Sequence, residues 1–180
     1  MTERGLGRFQ AALAQPVDIA WLGALRALFG LTMAISMVRY IAYGWIDEFF
    51  VRPSFHFKYY GFGWLEPLPR FGMHALFWCL AALGCLMALG LWFRGAAILF
   101  ALGFAYLQLV DVTTYLNHYY LATLLAFLLA LSPADRWGSL RVAMRPEDAL
   151  DAVPLAWHVL FRVQVGVVYT FAGLANGTFL

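Results

Sequence analysis

Apolar residues along this chain come in long runs, and the polar residues collect between them. The runs cover about 17–38, 72–92, 96–110, 117–131 and 155–175. A helix needs roughly 20 such residues to cross the hydrocarbon of a bilayer. The pattern therefore predicts an all-α membrane protein, a bundle of about five transmembrane helices. Pro16 suits the first turn of the first span. The fourth run is short, so its first turn is expected to include Asn117 and His118. Residues 1–16 read as an N-terminal cytoplasmic segment and 177–180 as a C-terminal tail. Glu3, Arg4 and Arg8 precede the first run, but no small-residue cleavage site follows at signal-peptide distance, so the first span is expected to stay.

Between the first two spans the pattern breaks. Residues 39–70 carry Pro53, Pro67, Pro69 and several glycines among Phe55, Phe57, Tyr59, Tyr60, Phe62 and Trp64. Amphipathic rings favour the membrane–water boundary, which predicts an aromatic interfacial segment. Alternation through Phe55-His56-Phe57-Lys58-Tyr59-Tyr60 suggests an extended element with one aromatic face. In the second span Ala81, Gly84, Cys85 and Ala88 make one side small, which permits close helix approach. Arg94 and Gly95 are expected to turn the chain into the third span, and 132–154 forms a charged loop.

Composition sharpens the membrane assignment. Of the 180 residues 63% are hydrophobic and 12% charged, and mean hydropathy is +0.74; a soluble domain needs far more polar surface. A net charge of +2 without a basic run offers nothing to nucleic acid. Cys79 and Cys85, six residues apart in one run, fall on different helix faces and imply no bridge. No His, Cys and carboxylate spacing suggests a metal, and neither a phosphate loop nor a nucleophile elbow is present. Counting Lys and Arg in the connections gives six on the N-terminal side (Arg4, Arg8, Arg94, Arg136, Arg141, Arg145) and four on the other (Arg39, Arg52, Lys58, Arg70). That excess places the N-terminus inside. It also brings the 39–70 segment and the Asp111–His118 turn together on the outer face.

A few polar residues interrupt the spans. Arg26 and Arg162 lie at matching depths in the first and fifth. An arginine there costs at least about 2.5–3.5 kcal/mol on insertion scales, so both should face the bundle and find partners. Backbone carbonyls, Gln108, Gln164 or an anion could serve. One reading is structural glue between spans one and five; the other is contact with a ligand. His118 reads either as an interfacial residue behind an Asn117 cap or as an acid, base or hydrogen-bond donor at a membrane-bounded cavity. Tyr115, Tyr119 and Tyr120 could wall such a cavity or belong to an aromatic belt. Structural anchoring and a ligand role both fit His56 and Lys58; His74 and His158 look like interface residues.

Several segments occur in a familiar order: Leu25-Arg26-Ala27-Leu28-Phe29-Gly30; the stretch from Phe55 to Trp64 with Pro67-Leu68-Pro69; Tyr115-Leu116-Asn117-His118-Tyr119-Tyr120-Leu121; Arg162-Val163-Gln164; and Val168-Tyr169-Thr170-Phe171-Ala172-Gly173-Leu174-Ala175. Together they resemble the membrane domain of the vitamin K-dependent gamma-carboxylase family and its bacterial relatives, the HTTM proteins, over roughly residues 17–176. The resemblance implies a lipophilic cofactor, reduced vitamin K or a related quinol, whose reaction with oxygen yields a base that takes a γ-proton from a protein glutamate before carbon dioxide adds. It implies catalytic roles for His118 and Asn117, with Tyr115, Tyr119, Tyr59, Tyr60, His56 and Lys58 as candidates for the quinol pocket. Arg26, Arg162 and Gln164 are the intramembrane polar residues, and no metal is implied. Partners would be the lipid bilayer and a Glu-containing protein or peptide, in a bacterial inner membrane.

One family residue is replaced. The lysine that deprotonates the hydroquinone follows the Ala-Gly motif of the fifth span, and desolvation suits a lysine to that task by lowering its pKa. The corresponding position here is Asn176, in Gly173-Leu174-Ala175-Asn176. An amide cannot be the base, and Lys58 lies in another segment. The family's further spans and extramembrane domain are missing too, so the chain reads as a truncated N-terminal piece, inactive by itself. The alternative is a non-catalytic membrane protein that binds a quinone-like lipid or a partner protein. A small transporter would need paired acidic residues or matched broken helices, and the spans show neither.

Overall fold

The computed structural model describes the backbone of residues 3–114 and 116–177 and the side chains of residues 7, 8, 10–113, 116 and 118–174. Its helices are α1 (Glu3–Leu13), α2 (Ala20–Ala42), α3 (Arg70–Leu89), α4 (Phe93–Val110), α5 (Asn117–Leu131), the short α6 (Leu140–Met144) and α7 (Leu155–Gly177). Two three-residue strands, β1 (Pro16–Asp18) and β2 (Ala152–Pro154), accompany them. By length and composition α2, α3, α4 and α7 can each cross a membrane. The apolar helix α5 is shorter. At 1.5 Å per residue its 15 residues span about 22 Å, less than the roughly 30 Å of hydrocarbon.

Sequential neighbours pack antiparallel, α2 on α3, α3 on α4 and α4 on α5. We call the side from which α2 starts the near face and the opposite side the far face. Strand pairing fixes a second helix to the near face. β1 and β2 run antiparallel with Pro16 opposite Pro154, Val17 opposite Val153 and Asp18 opposite Ala152. Further rungs join Leu155 N to Gln15 O at 2.8 Å and Ile19 N to Asp151 O at 3.1 Å. Thus α2 and α7 start side by side, and Arg26 and Arg162 begin from equivalent levels.

The tightest seam is α2 on α3. A Cβ built on Gly30 would stand 2.5 Å from Ala88 N and 2.7 Å from Gly84 O; one on Gly84 would stand 2.9 Å from Ala34 N. These are backbone contacts, so the helices meet main chain to main chain. Of the small side expected of the second span, Gly84 and Ala88 form the contact face, Ala81 is buried and Cys85 is exposed away from it; Gly30 and Ala34 supply the counterpart on α2. Around it lie Phe29, Met37, Phe77, Leu80, Phe100 and Phe104, all buried.

Helix α3 stops earlier than the apolar run does. Gly90 adopts a left-handed conformation (φ 70°), and Leu91 N returns to Leu86 O at 3.0 Å, a glycine-capped ending. The turn into α4 is therefore Gly90–Trp92. The sequence expectation of a turn at Arg94–Gly95 is corrected: Gly95 lies inside the first turn of α4, under the Trp92 ring. Before the first span Leu6, Phe9 and Leu13 recur at helical spacing, and α1 forms there and touches α7.

Helix α7 touches the bundle chiefly through its first turns. Trp21 meets His158 and Phe161 edge-on, at 4.8 and 5.7 Å. Further along, Leu160, Val163, Val167, Tyr169, Phe171 and Leu174 are exposed.

Candidate functional site

Polar side chains interrupt the apolar surface of the bundle at three levels. Nearest the near face is Arg26, buried completely. Its Nε donates to Ala134 O at 3.1 Å, Nη1 to Met87 O at 2.8 Å and also to Ala88 O, and Nη2 to Gly138 O at 2.9 Å. Two of these carbonyls close α3, where unpaired acceptors and the negative end of the helix dipole collect. Gly90 makes room for the guanidinium, since a Cβ there would stand 2.9 Å from Nη1. The glue runs from the first span to the α3 end and the loop after α5, and not to the fifth span. Arg162, expected to face the bundle, is exposed and among the described residues has no partner. Arg162 lies on the outward side of α7, away from the face on which half-buried Gln164, Val165, Val168 and Ala172 follow buried Phe161 at helical spacing. Gln164 is half-buried on the same helix.

Towards the far face a cavity of about 250 Å³ opens between α2, α3, α4 and α5. Its walls are largely apolar, from Met33, Met37, Phe50, Phe77, Phe104 and Leu107. The polar groups converge from three helices: Thr32, Ser36, Arg39 and Tyr40 of α2, Gln108 of α4, and His118 and Tyr119 of α5. The Tyr40 and Tyr119 hydroxyls lie 2.9 Å apart. Whichever donates, the pair keeps one proton and several lone pairs to offer a third group. Tyr40 is held by stacking on Phe77 (5.3 Å) and by an edge contact with Trp45 (5.2 Å). Tyr119 is held by Phe104 (5.6 Å) and His118 (4.5 Å).

Gln108 is oriented by its neighbours. Thr123 Oγ1 donates to Tyr119 O at 3.2 Å and so must accept from the Gln108 amide, whose Nε2 lies 2.6 Å away. The same nitrogen donates to Phe104 O at 3.2 Å. With the amide fixed this way, its Oε1 is the acceptor that no described residue engages.

The two segments expected on one face, 39–70 and the Asp111–His118 turn, do lie together. Val112 N donates to Phe57 O at 2.8 Å, and the Tyr106 hydroxyl to Glu66 O at 2.8 Å. Tyr59 lines a shallower groove of about 510 Å³ with Tyr120, Thr123 and Gln108, so Gln108 borders both openings. Four other expectations are redistributed. Lys58 donates to Leu65 O and pairs with Glu66 at 3.3 Å, which fastens it within its own loop. Tyr60 is fully exposed. His56 is buried and its Nε2 has no partner among the described residues, but it borders neither opening. The 39–70 segment, expected to be broken from its start, instead continues α2 through Ala42; from there to α3 it is irregular apart from a short helical stretch that includes the π-helical turn Asp47–Val51, because its prolines and glycines give no continuous strand or helix. Tyr115 and the side chains of Asn117 and Asn176 lie outside the described residues. Asp47 anchors the segment to α3: Arg70 grips both carboxylate oxygens at 2.9 Å, and this hydrogen bonding holds the Asp47 carboxyl below its ordinary range.

Sequence reasoning passed over the α2 wall. Thr32, Ser36, Arg39 and Tyr40 stand at i, i+4, i+7 and i+8, a polar stripe on an otherwise apolar helix. That spacing was the available signal.

The family model of the HTTM domain matches residues 14–178. The chain belongs to the HTTM domain family. HTTM domains occur in vitamin K-dependent gamma-carboxylase-like proteins, and the matched span takes in every helix that lines the cavity as well as α7. No solved structure matches this HTTM chain.

Proposed function

We propose that this HTTM chain is the quinol-binding membrane part of a vitamin K-dependent gamma-carboxylase-like protein, and that the far-face cavity receives the ring of the reduced quinone. The observation that carries the reading is the Tyr40–Tyr119 hydroxyl pair together with Gln108 on the wall of a cavity whose remaining lining is largely apolar. A hydroquinone ring is apolar except for two hydroxyls, each able to donate and accept, and this wall offers both an acceptor and a donor. The volume, about 250 Å³, lies just below the roughly 300–1,000 Å³ range of ligand pockets. It therefore suits a ring whose isoprenoid tail extends into the bilayer.

When bound, the quinol would supply the strong base on which carboxylation depends. The chain's own residues bind and position it. Tyr40 and Tyr119 bridge to one hydroxyl, Gln108 accepts from it, and Phe77 and Phe104 exclude water around the ring. His118 lines the α5 side of the opening, and the resemblance gives it the proton exchange at the carboxylation step. The resemblance puts Asn176 where the family has its lysine, so the chain is expected to bind the quinol without turning it over.

The test has two arms. Titrating purified chain with phylloquinol, read by quenching of tryptophan fluorescence, should saturate, and Tyr40→Phe or Gln108→Leu should weaken binding about tenfold, the loss of one buried hydrogen bond. Unchanged affinity in both variants would refute the site. Incubation with phylloquinol, labelled bicarbonate and a Glu-containing peptide should give no incorporation; robust incorporation lost in His118→Ala would overturn the reading of Asn176.

A further inference from the structure

On the near face, away from the quinol cavity, a second opening of about 430 Å³ lies between the start of α4 and the loop that carries α6. Its charged lining is Arg94, Arg141, Arg145 and Asp135. Two of these are balanced within the fold. Arg141 donates to the buried Asp135 at 2.6 Å and to Asp148 at 2.9 Å, and Asp148 also holds Arg136 at 2.7 Å. Those two arginines and two aspartates form a closed, neutral network that shapes the back of the opening. Arg94 and Arg145 are different: both are exposed, and neither has an acidic or hydrogen-bonding partner among the described residues. Two positive charges thus border one recess with nothing to offset them.

The recess has a second anion-directed feature. Helix α4 begins at Phe93, and Trp92 at its N-cap contributes no side-chain hydrogen bond. The first amides of α4 are thus uncapped beside Arg94, at the positive end of the helix dipole. The rim is apolar. Trp92 and Met144 are each 67% exposed, and Trp137 and Leu140 are exposed close by in sequence. Because the three-residue α3–α4 turn joins two spans, this rim stands at the level where hydrocarbon meets headgroups.

We propose that this recess binds the phosphate of an anionic phospholipid headgroup, held by Arg94, Arg145 and the first turn of α4, with Trp92 and Met144 against the glycerol and upper acyl carbons. A free phosphate would meet the same charges but would gain nothing from the apolar rim. Arginine's planar fork suits a phosphate better than a point charge does, and basic pockets at the ends of membrane helices favour anionic lipid.

Full-length chain in detergent, titrated with dioleoylphosphatidylglycerol or dioleoylphosphatidylcholine and read by native mass spectrometry, should bind the anionic lipid preferentially. The double variant Arg94→Gln/Arg145→Gln should lose about thirtyfold of that affinity, with unchanged helical circular dichroism because neither side chain holds the fold together. Arg94→Lys/Arg145→Lys should retain most of it, and Arg8→Gln, a charge on α1 outside the recess, should retain all of it. Glycerophosphate at equal concentration should not compete. The proposal fails if the two lipids bind alike or if the double variant keeps its preference. It fails equally if Arg8→Gln costs as much as the double variant, or if glycerophosphate displaces the lipid.

Discussion

At Gly30 the α2 and α3 backbones leave no room for a methyl group. An alanine Cβ there would stand 2.5 Å from Ala88 N, 2.7 Å from Gly84 O and 2.9 Å from Ala88 Cα. All three are main-chain atoms, so no rotamer change relieves the contact. Reaching the ordinary 3.4 Å requires the helices to part by about 0.9 Å at the crossing, which loosens the seam around Met37 and Phe77. Overpacking of this kind costs about 1–3 kcal/mol. Alanine is also the better helix former by about 1 kcal/mol, and that gain opposes the clash. Gly166 on α7 separates the two effects, because a Cβ there meets nothing within 4 Å. Gly166→Ala should therefore be neutral or mildly stabilising, and Gly30→Ala should lie about 1–3 kcal/mol below it. Unfolding by sodium dodecyl sulfate, followed by far-ultraviolet circular dichroism, gives both values on one scale. If Gly30→Ala proves as stable as Gly166→Ala, the close crossing does not exist. Parting α2 from α3 would also widen the far-face cavity, so if the proposed site is right the affinity for phylloquinol should fall with stability.

Two further predictions concern the charged groups. Arg26→Leu leaves the buried carbonyl of Ala134 and the partly buried carbonyls of Ala88 and Gly138 without their donor and should cost about 1–3 kcal/mol for a buried acceptor left unsatisfied; the yield of folded protein in detergent measures it, and a stable variant would remove Arg26 from its role as a tie. At the near face, hydrogen bonding from Arg141 and then the charge of Arg136 hold the Asp148 carboxyl below its ordinary value of 3.8. The unfolded chain then binds a proton more readily than the folded one. This stabilisation is present in full above the ordinary carboxylate value and disappears as pH falls through the lowered folded value. Unfolding midpoints between pH 7 and pH 3 should drop more steeply for the native chain than for Asp148→Asn, and parallel curves would show that the network contributes nothing.

What was legible in the sequence depended on range. The spans were legible because hydrocarbon demands a minimum apolar length whatever the helices later touch. The small side of α3 was legible because glycine and alanine at helical spacing mean close approach. Gln108 was named only as a possible partner for Arg26, yet it sits between the two far-face openings, and nothing local to Gln108 distinguishes those fates. The turn at Gly90 lay hidden among three nearby glycines, since any of them tolerates a left-handed conformation and only packing against Arg26 and Ser139 selects one.

The amino-acid sequence by itself determined the solvent of this protein, its build as a bundle of apolar helices and the family to which it belongs. These follow from composition, from run length and from motifs read in order. Only the tertiary structure decided that Arg26 reaches carbonyls 61 to 112 residues away while Arg162, at the same level, reaches none among the described residues. Only the fold joined Tyr40 to Tyr119 and set Lys58 apart from both. The physical reason is that main-chain carbonyls are identical at every position and carry no mark in the sequence. Which of them a buried guanidinium meets is settled by the crossing of helices, not by the residues that bear them.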